Sequence, residues 1–195
     1  MKNSDKITTE INTSPNKSEN YVLASADAAS DMRELFLDSL KDIYWAENAL
    51  LKALPKMADN CTSGSLAAAI KENILITKNQ VVRLERVFEL LNETAEGKKC
   101  EAITGIIKEG ENILRETAQG PVRDAAIIGA SQKIEHYEIA SYGMLYAFAT
   151  TLGENDAAKL LRQTLAEEKE ADMILSDVAA YNSINFKACT AFKAS

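Results

Sequence analysis

The stretch VRDAAIIGASQKIEHYEIASYG, residues 122–143, decides the fold. Its side chains are apolar or small over much of a helical circumference, through Ala125, Ile127, Ile128, Ile134 and Ile139, and the pattern continues to Leu145 and Phe148. A helix that is apolar on several sides is buried on several sides. Two glutamates, Glu135 and Glu138, interrupt it three residues apart, on neighbouring ridges of one face. Stripping water from an ionised carboxylate costs several kcal/mol (roughly, after relaxation) unless something offsets the charge. The segment therefore predicts a long interior helix carrying acids that need protons, partners or a metal ion.

The flanking sequence sets the helix limits. Gly120-Pro121 opens it, with Pro121 suited to the first turn, and Gly153 closes it after about Leu152. A second helix follows from about Asn155 to Tyr181, where Leu161, Leu165, Glu168, Asp172, Leu175 and Ala179 recur at 4-3-4-3-4 spacing. Two more acids thereby fall in an apolar stripe, one turn apart, where they repel each other unless neutralised.

The first half repeats the plan. Ser30-Asp31, with Glu34 three residues after Asp31, reads as a helix N-cap. A helix from about Met32 to Met57 then places Phe36, Leu40, Ile43, Glu47, Leu50 and Leu54 on one stripe, so Glu47 takes a core-type position. Pro55 is expected to disturb only the last turn, and residues 62–65 make the break. Leu66 to Asn92 forms the next helix, with Leu66, Ile70, Thr77, Val81, Leu84, Phe88 and Leu91 inward and Asn73 or Ile74 between them. A shorter amphipathic helix over about Glu101–Thr117 lies in the connection, weakened or split by Gly105 and Gly110. Residues 1–29 read as a disordered leader and 182–195 as a flexible tail, leaving 30–181 as one domain.

Two antiparallel hairpins joined by one long crossover are the connectivity of ferritin-like four-helix bundles. The fold class is therefore all-α. Such bundles hold metal ions between their helices with Glu residues and Glu-x-x-His pairs. Glu47, Glu135, Glu138, Glu168 and Asp172 are the candidate ligands here, with Asp172 roughly where an imidazole would sit. The second helix is poorer: Asn73-Ile74-Leu75-Ile76-Thr77 and Gln80 can hydrogen-bond a carboxylate but bring no negative charge, and Glu72 lies off the inner stripe.

Composition narrows the function classes. A formal charge of −7, a pI near 4.9 and no basic run exclude a general nucleic-acid binder. No stretch approaches the ~20 apolar residues of a membrane span, and no apolar signal segment opens the chain. Cys61, Cys100 and Cys189 show no zinc-ligand spacing and are expected as reduced thiols of a cytosolic protein.

The runs ELFLDSLKDIYWAENALLKALPKM (34–57), NQVVRLERVFELL (79–91), residues 122–143 and LLRQTLAEEKEAD (160–172) resemble the bacterial YciE/YciF-like family of ferritin-like proteins. The resemblance covers roughly residues 32–180, and KIEHYEIASYG is its most specific part. It implies a stress-induced cytoplasmic helical-bundle dimer, related in fold to rubrerythrin, with a proposed dinuclear site and no settled reaction. Glu47, Glu135, Glu138, Glu168 and Asp172 match family acidic positions. The family pattern H-L-E-E-T is replaced at Asn73–Thr77, which implies the loss of a ligand histidine and two glutamates.

Several roles stay open in the sequence. Either Glu135 or Glu138 faces the site while the other meets a dimer contact. His136, the only histidine, is a metal ligand or a packed, hydrogen-bonded residue. Tyr44, Tyr137, Tyr142 and Tyr146 serve core packing, ligand hydrogen bonding or redox chemistry. Arg83, Glu85, Arg86 and Glu89 read as a solvated face. Two functions are expected. One is binding of one iron or manganese ion, or of two weakly, through Glu47, Glu138, Glu168 and Asp172 with Glu135 or His136 assisting, for metal handling or peroxide-linked defence. The other is a metal-free homodimeric interaction or scaffold protein with a protein partner in a stress response. Neither involves nucleic acid or membrane; a DNA-protecting cage is a distant third, disfavoured by the acidic surface.

Overall fold

A computed structural model describes residues 22–26, 28–181 and 183–191. Most of the expected leader, residues 1–21 and 27, lies outside the described residues, as do 182 and 192–195. The described residues form six α-helices and no strand: α1 (Met32–Asp59), α2 (Gly64–Leu90), α3 (Glu101–Glu116), α4 (Pro121–Leu152), α5 (Asn155–Tyr181) and α6 (Ile184–Ala191). None of them is long and apolar enough to cross a membrane.

Local chemistry explains the ends. Asp31 accepts a hydrogen bond from the Glu34 backbone N–H at 2.9 Å while Glu34 accepts from Ser30, which makes a reciprocal capping arrangement at the start of α1. Ser63 caps α2, and Pro121 fills the first turn of α4, where its missing N–H costs nothing. Gly153 stops α4 in the left-handed region at φ 79°, a conformation that a Cβ would strain. Pro55 sits inside α1, whose helix nevertheless continues to Asp59. Gly105 and Gly110 do not split α3; Gly110 is buried, close to Met57 and Ala130, where α3 crosses α1 and α4.

The four long helices form a ring in which α1 packs on α2, α2 on α5, α5 on α4 and α4 on α1. Side-chain bonds fix the directions. Asp124 at the start of α4 accepts from the Thr62 and Ser63 backbone N–H groups just before α2, and Asn73 of α2 reaches Glu135 of α4, so these diagonal helices run the same way. Gln80 meets Glu168 while Arg83 meets Thr164, so α2 and α5 run oppositely. The connection between α2 and α4 must therefore return along the length of the molecule, and α3 lies on that path against α4 and α1.

Phe36, Leu40, Ile43, Leu50, Leu66, Leu84, Phe88, Ile127, Ile134 and Leu145 are buried in one continuous core. Each such side chain stabilises the fold by about 1.5–3 kcal/mol relative to exposure. The expected flexible tail needs correction over residues 184–191. They form α6, which packs on α4 and α5 and buries Ile184 in the main core. A segment this short carries too little helical period to separate a docked helix from a frayed end.

Candidate metal centre

Helices α1, α4 and α5 each turn a carboxylate into the middle of the ring. Glu47, Glu138 and Glu168 are buried, and each offers an oxygen within 4.8 Å of the others. Glu135, one turn before Glu138 on α4, is buried beside them. Among the described residues, Glu47 Oε2, Glu135 Oε2 and Glu138 Oε1 have no hydrogen-bond donor while the acids are ionised; with a proton retained, Glu47 pairs with Glu138 and Glu135 with Glu168.

The other oxygens are held from above and below. The Tyr142 hydroxyl donates to Glu47 Oε1, and Gln80 Nε2 donates to Glu168 Oε1. Asn73 Nδ2 donates to Glu135 Oε1 at 2.9 Å. The Arg83 guanidinium binds both oxygens of Glu167 at 2.7 and 2.8 Å and the Thr164 hydroxyl at 2.7 Å. It supplies positive charge at the edge of the cluster without touching Glu168.

Crowding acids in a dry interior favours their protonated forms. Burial pushes the Glu168 carboxyl up to about 7; a hydrogen bond with Glu135 opposes this most, the Glu167 charge adds to it, and Gln80 and Arg83 oppose it further. Burial and then the Glu168 charge raise Glu47 to about 8 and Glu135 to about 10. Glu138 is raised well above the usual carboxylate range for the same reasons. Burial, followed by the Glu47 charge, lifts the Tyr142 phenol well above 10, so it remains a donor.

The residues picked from sequence divide sharply. Glu47, Glu135, Glu138 and Glu168 come together, and both acids of α4 face inward, which leaves neither for a dimer contact. Asp172 does not join them. The buried face of α5 runs through Leu161, Thr164, Glu168, Ala171 and Leu175, so Asp172 falls at its edge, 23% exposed, accepting from Gln132 at 3.1 Å. The alternating spacing of the sequence fits either Asp172 or Ala171, and packing selects the smaller residue. His136 lies outside the cluster and is not packed: its side chain is 69% exposed, with Nε2 3.4 Å from Asp172 Oδ1. One residue step rotates a side chain about 100° around the axis, and with Glu135 and Glu138 both inward His136 must turn out.

Tyr142, for which core packing and ligand hydrogen bonding were both open, does both: it packs in the core and its hydroxyl donates to Glu47. One supporting residue was missed in the sequence. Arg83, read as part of a solvated face, has a side chain only 13% exposed and anchors α2 to α5. Its signal was available: it lies three residues after Gln80 and four before Val87, both on the inward face. Glu85 likewise accepts from Tyr44 at 3.0 Å. Asp124, a further buried acid, serves structure by holding the turn between α1 and α2.

Fold and site together define a class of all-helical proteins in which a ring of long helices encloses a carboxylate cluster. The sequence model of a family described as a domain of unknown function (DUF892) matches residues 31–188. The chain belongs to this family. It is 42% identical over 158 residues to Protein YciF of Escherichia coli (strain K12), a span of 80% of this chain and 95% of that one. The crystal structure of the E. coli stress protein YciF superposes with a TM-score of 0.77 at 40% identity, covering 80% of this chain and 98% of that chain. YcfI of Rhodopseudomonas palustris, provisionally described as a structural protein, gives a TM-score of 0.76 at 41% identity over 79% of this chain and 98% of its own.

Proposed function

We propose that this chain is a cytoplasmic stress-response protein with a ferritin-like four-helix bundle that binds one hard divalent cation, iron or manganese, through Glu47, Glu138 and Glu168. The observation that carries the reading is the convergence of three buried carboxylates, from three helices, with oxygens within 4.8 Å of one another. While ionised, two of the three keep an oxygen without a hydrogen-bond donor among the described residues, which is what a cation would satisfy. All-oxygen donors suit hard metal ions better than zinc or copper.

The chain's own residues prepare the site. Tyr142 fixes the rotamer of Glu47, Gln80 fixes that of Glu168, and Arg83 binds both oxygens of Glu167. The surrounding core excludes bulk water, which strengthens each charge interaction inside. A bound iron or manganese ion would supply redox chemistry suited to metal handling or peroxide-linked defence. A second metal is poorly provided for. Helix α2 brings neutral Asn73 and Gln80 inward, while Leu75 is 52% exposed.

Elemental analysis after aerobic purification from medium replete in iron and manganese tests the reading. About one ion per chain is expected, bound as protons are released from the acids, and Glu168→Ala should abolish it. No bound transition metal, or a content unchanged by the substitution, overturns it.

A second reading has its own support. Neutral donors on Asn73, Gln80 and Tyr142 together with proton retention let the acids persist without metal. On that reading the chain is a homodimeric interaction or scaffold protein, and chelators leave its melting temperature unchanged. A drop of several degrees with chelator counts against it.

A further inference from the structure

The core seals the acid cluster: Glu47, Glu138 and Glu168 are all buried. An ion can reach such a site only along an entry path. A cavity of about 510 Å³ lies between α2 and α5 and reaches α1 and α4 at its floor. A divalent cation with six waters takes roughly 200 Å³, at about 30 Å³ per water, so it fits with its hydration shell intact. A second cavity of about 400 Å³, between α1 and α3, is lined by none of the cluster acids and carries Lys52 on its wall.

Oxygen atoms line the larger cavity in order of burial. Glu72 and Glu170 are exposed at its mouth. Asn73 is half-buried, and its Oδ1 has no partner among the described residues because its amide nitrogen is spent on Glu135. Ser131 is buried, and its hydroxyl is likewise unpartnered. Polar oxygens left without a partner mark where a ligand or water belongs, and they suit a hard cation. Glu135 stands at the floor and hydrogen-bonds Glu168, so it borders both the cavity and the cluster. The apolar walls, among them Ile70, Ile76, Ile174 and Leu175, offer nothing to hold an ion short of that floor. Among the described residues the lining includes no Lys or Arg to repel one.

We propose that this cavity is the route by which a divalent cation enters the carboxylate cluster. Glu72 and Glu170 gather the ion at the mouth, Asn73 and Ser131 replace part of its water, and Glu135 passes it to Glu168. The route rests on the metal-binding reading above and gives roles to residues that the three-carboxylate site does not itself use.

Rapid mixing of the chelator-stripped full chain with manganese, read by loss of the electron paramagnetic resonance signal of the free aqueous ion, tests the route. Ala68→Trp puts a bulky ring at an exposed lining position. It should slow uptake about tenfold or more while the manganese content at equilibrium stays that of the wild type. A plug raises the barrier without touching the bound state, so release into excess chelator should slow by the same factor and Kd should not change. Glu72→Gln with Glu170→Gln should slow uptake about threefold or more and weaken its dependence on salt. Lys52→Trp, on the wall of the other cavity, should leave the rate unchanged. Where Ala68→Trp fails to fold by circular dichroism, the double variant at two exposed positions decides. Manganese bound at equilibrium with wild-type rates in the folded variants overturns the route alone. No manganese bound by the wild type overturns the route together with the metal-binding reading.

Discussion

Replacing Glu168 with Gln should stabilise the metal-free protein at neutral pH and above, although it alters a buried residue at the centre of the site. Glutamine keeps the shape and still offers an oxygen to Gln80 Nε2, so the hydrogen bond from Gln80 survives. What it removes is a carboxyl whose pKa is raised on folding. Between about pH 4.5 and 7 the folded chain keeps a proton that the unfolded chain has released, so stability falls as pH rises through that window. The gap between 4.5 and about 7, at about 1.4 kcal/mol per pH unit, amounts to about 3 kcal/mol. Loss of the Glu168 charge also relieves Glu47, Glu135 and Glu138, whose pKa values it helps to raise. Urea unfolding of both proteins at pH 5 and pH 8, with chelator, reads this out directly. At pH 5 the two should agree within about 1 kcal/mol, and at pH 8 the variant should be more stable by about 3 kcal/mol. With manganese added the order should reverse, because only the wild type gains from binding. A variant less stable than wild type at pH 8 in chelator would refute the claim that these acids are destabilised by their own burial.

Other substitutions probe the surrounding frame. Arg83→Met removes a mostly buried bidentate partner of Glu167 and should cost about 2–3 kcal/mol in chemical denaturation, less than a fully buried pair because Glu167 is partly exposed. Asp124→Ala frees the Thr62 and Ser63 backbone N–H groups and should cost about 1.5–3 kcal/mol by the same assay. His136→Ala, at an exposed position outside the cluster, should change stability by less than about 0.5 kcal/mol and leave metal content unchanged. A substantial loss of metal in that variant would restore His136 as a ligand.

The long helices were legible because each repeats an apolar stripe over seven turns or so, and because Asp31, Ser63, Pro121 and Gly153 mark their ends with well-understood chemistry. Glu47 and Glu168 stood out for the same reason: an acid in a core position breaks an otherwise regular pattern. Asp172 could not be separated from Ala171 by spacing, since the helical period leaves the edge of a stripe ambiguous by one residue and only packing decides. His136 required knowing that both Glu135 and Glu138 face inward, which depends on α4 being covered by α1 and α5 at once. Arg83 and the Asn73–Glu135 bond pair residues about 60 to 85 positions apart, and no local pattern encodes such a meeting. The apolar cavity was equally hidden, because Ala68, Ile76 and Ala171 acquire their meaning only when α2 and α5 are placed side by side.

The most direct test of the metal centre is an anomalous difference map from crystals of the protein loaded with manganese. If these three acids form a metal centre, one strong peak lies within bonding distance of carboxylate oxygens from Glu47, Glu138 and Glu168, and it is absent from crystals of Glu138→Gln treated in the same way. A map without a peak among those three residues, or a peak that persists in the variant, contradicts the proposal.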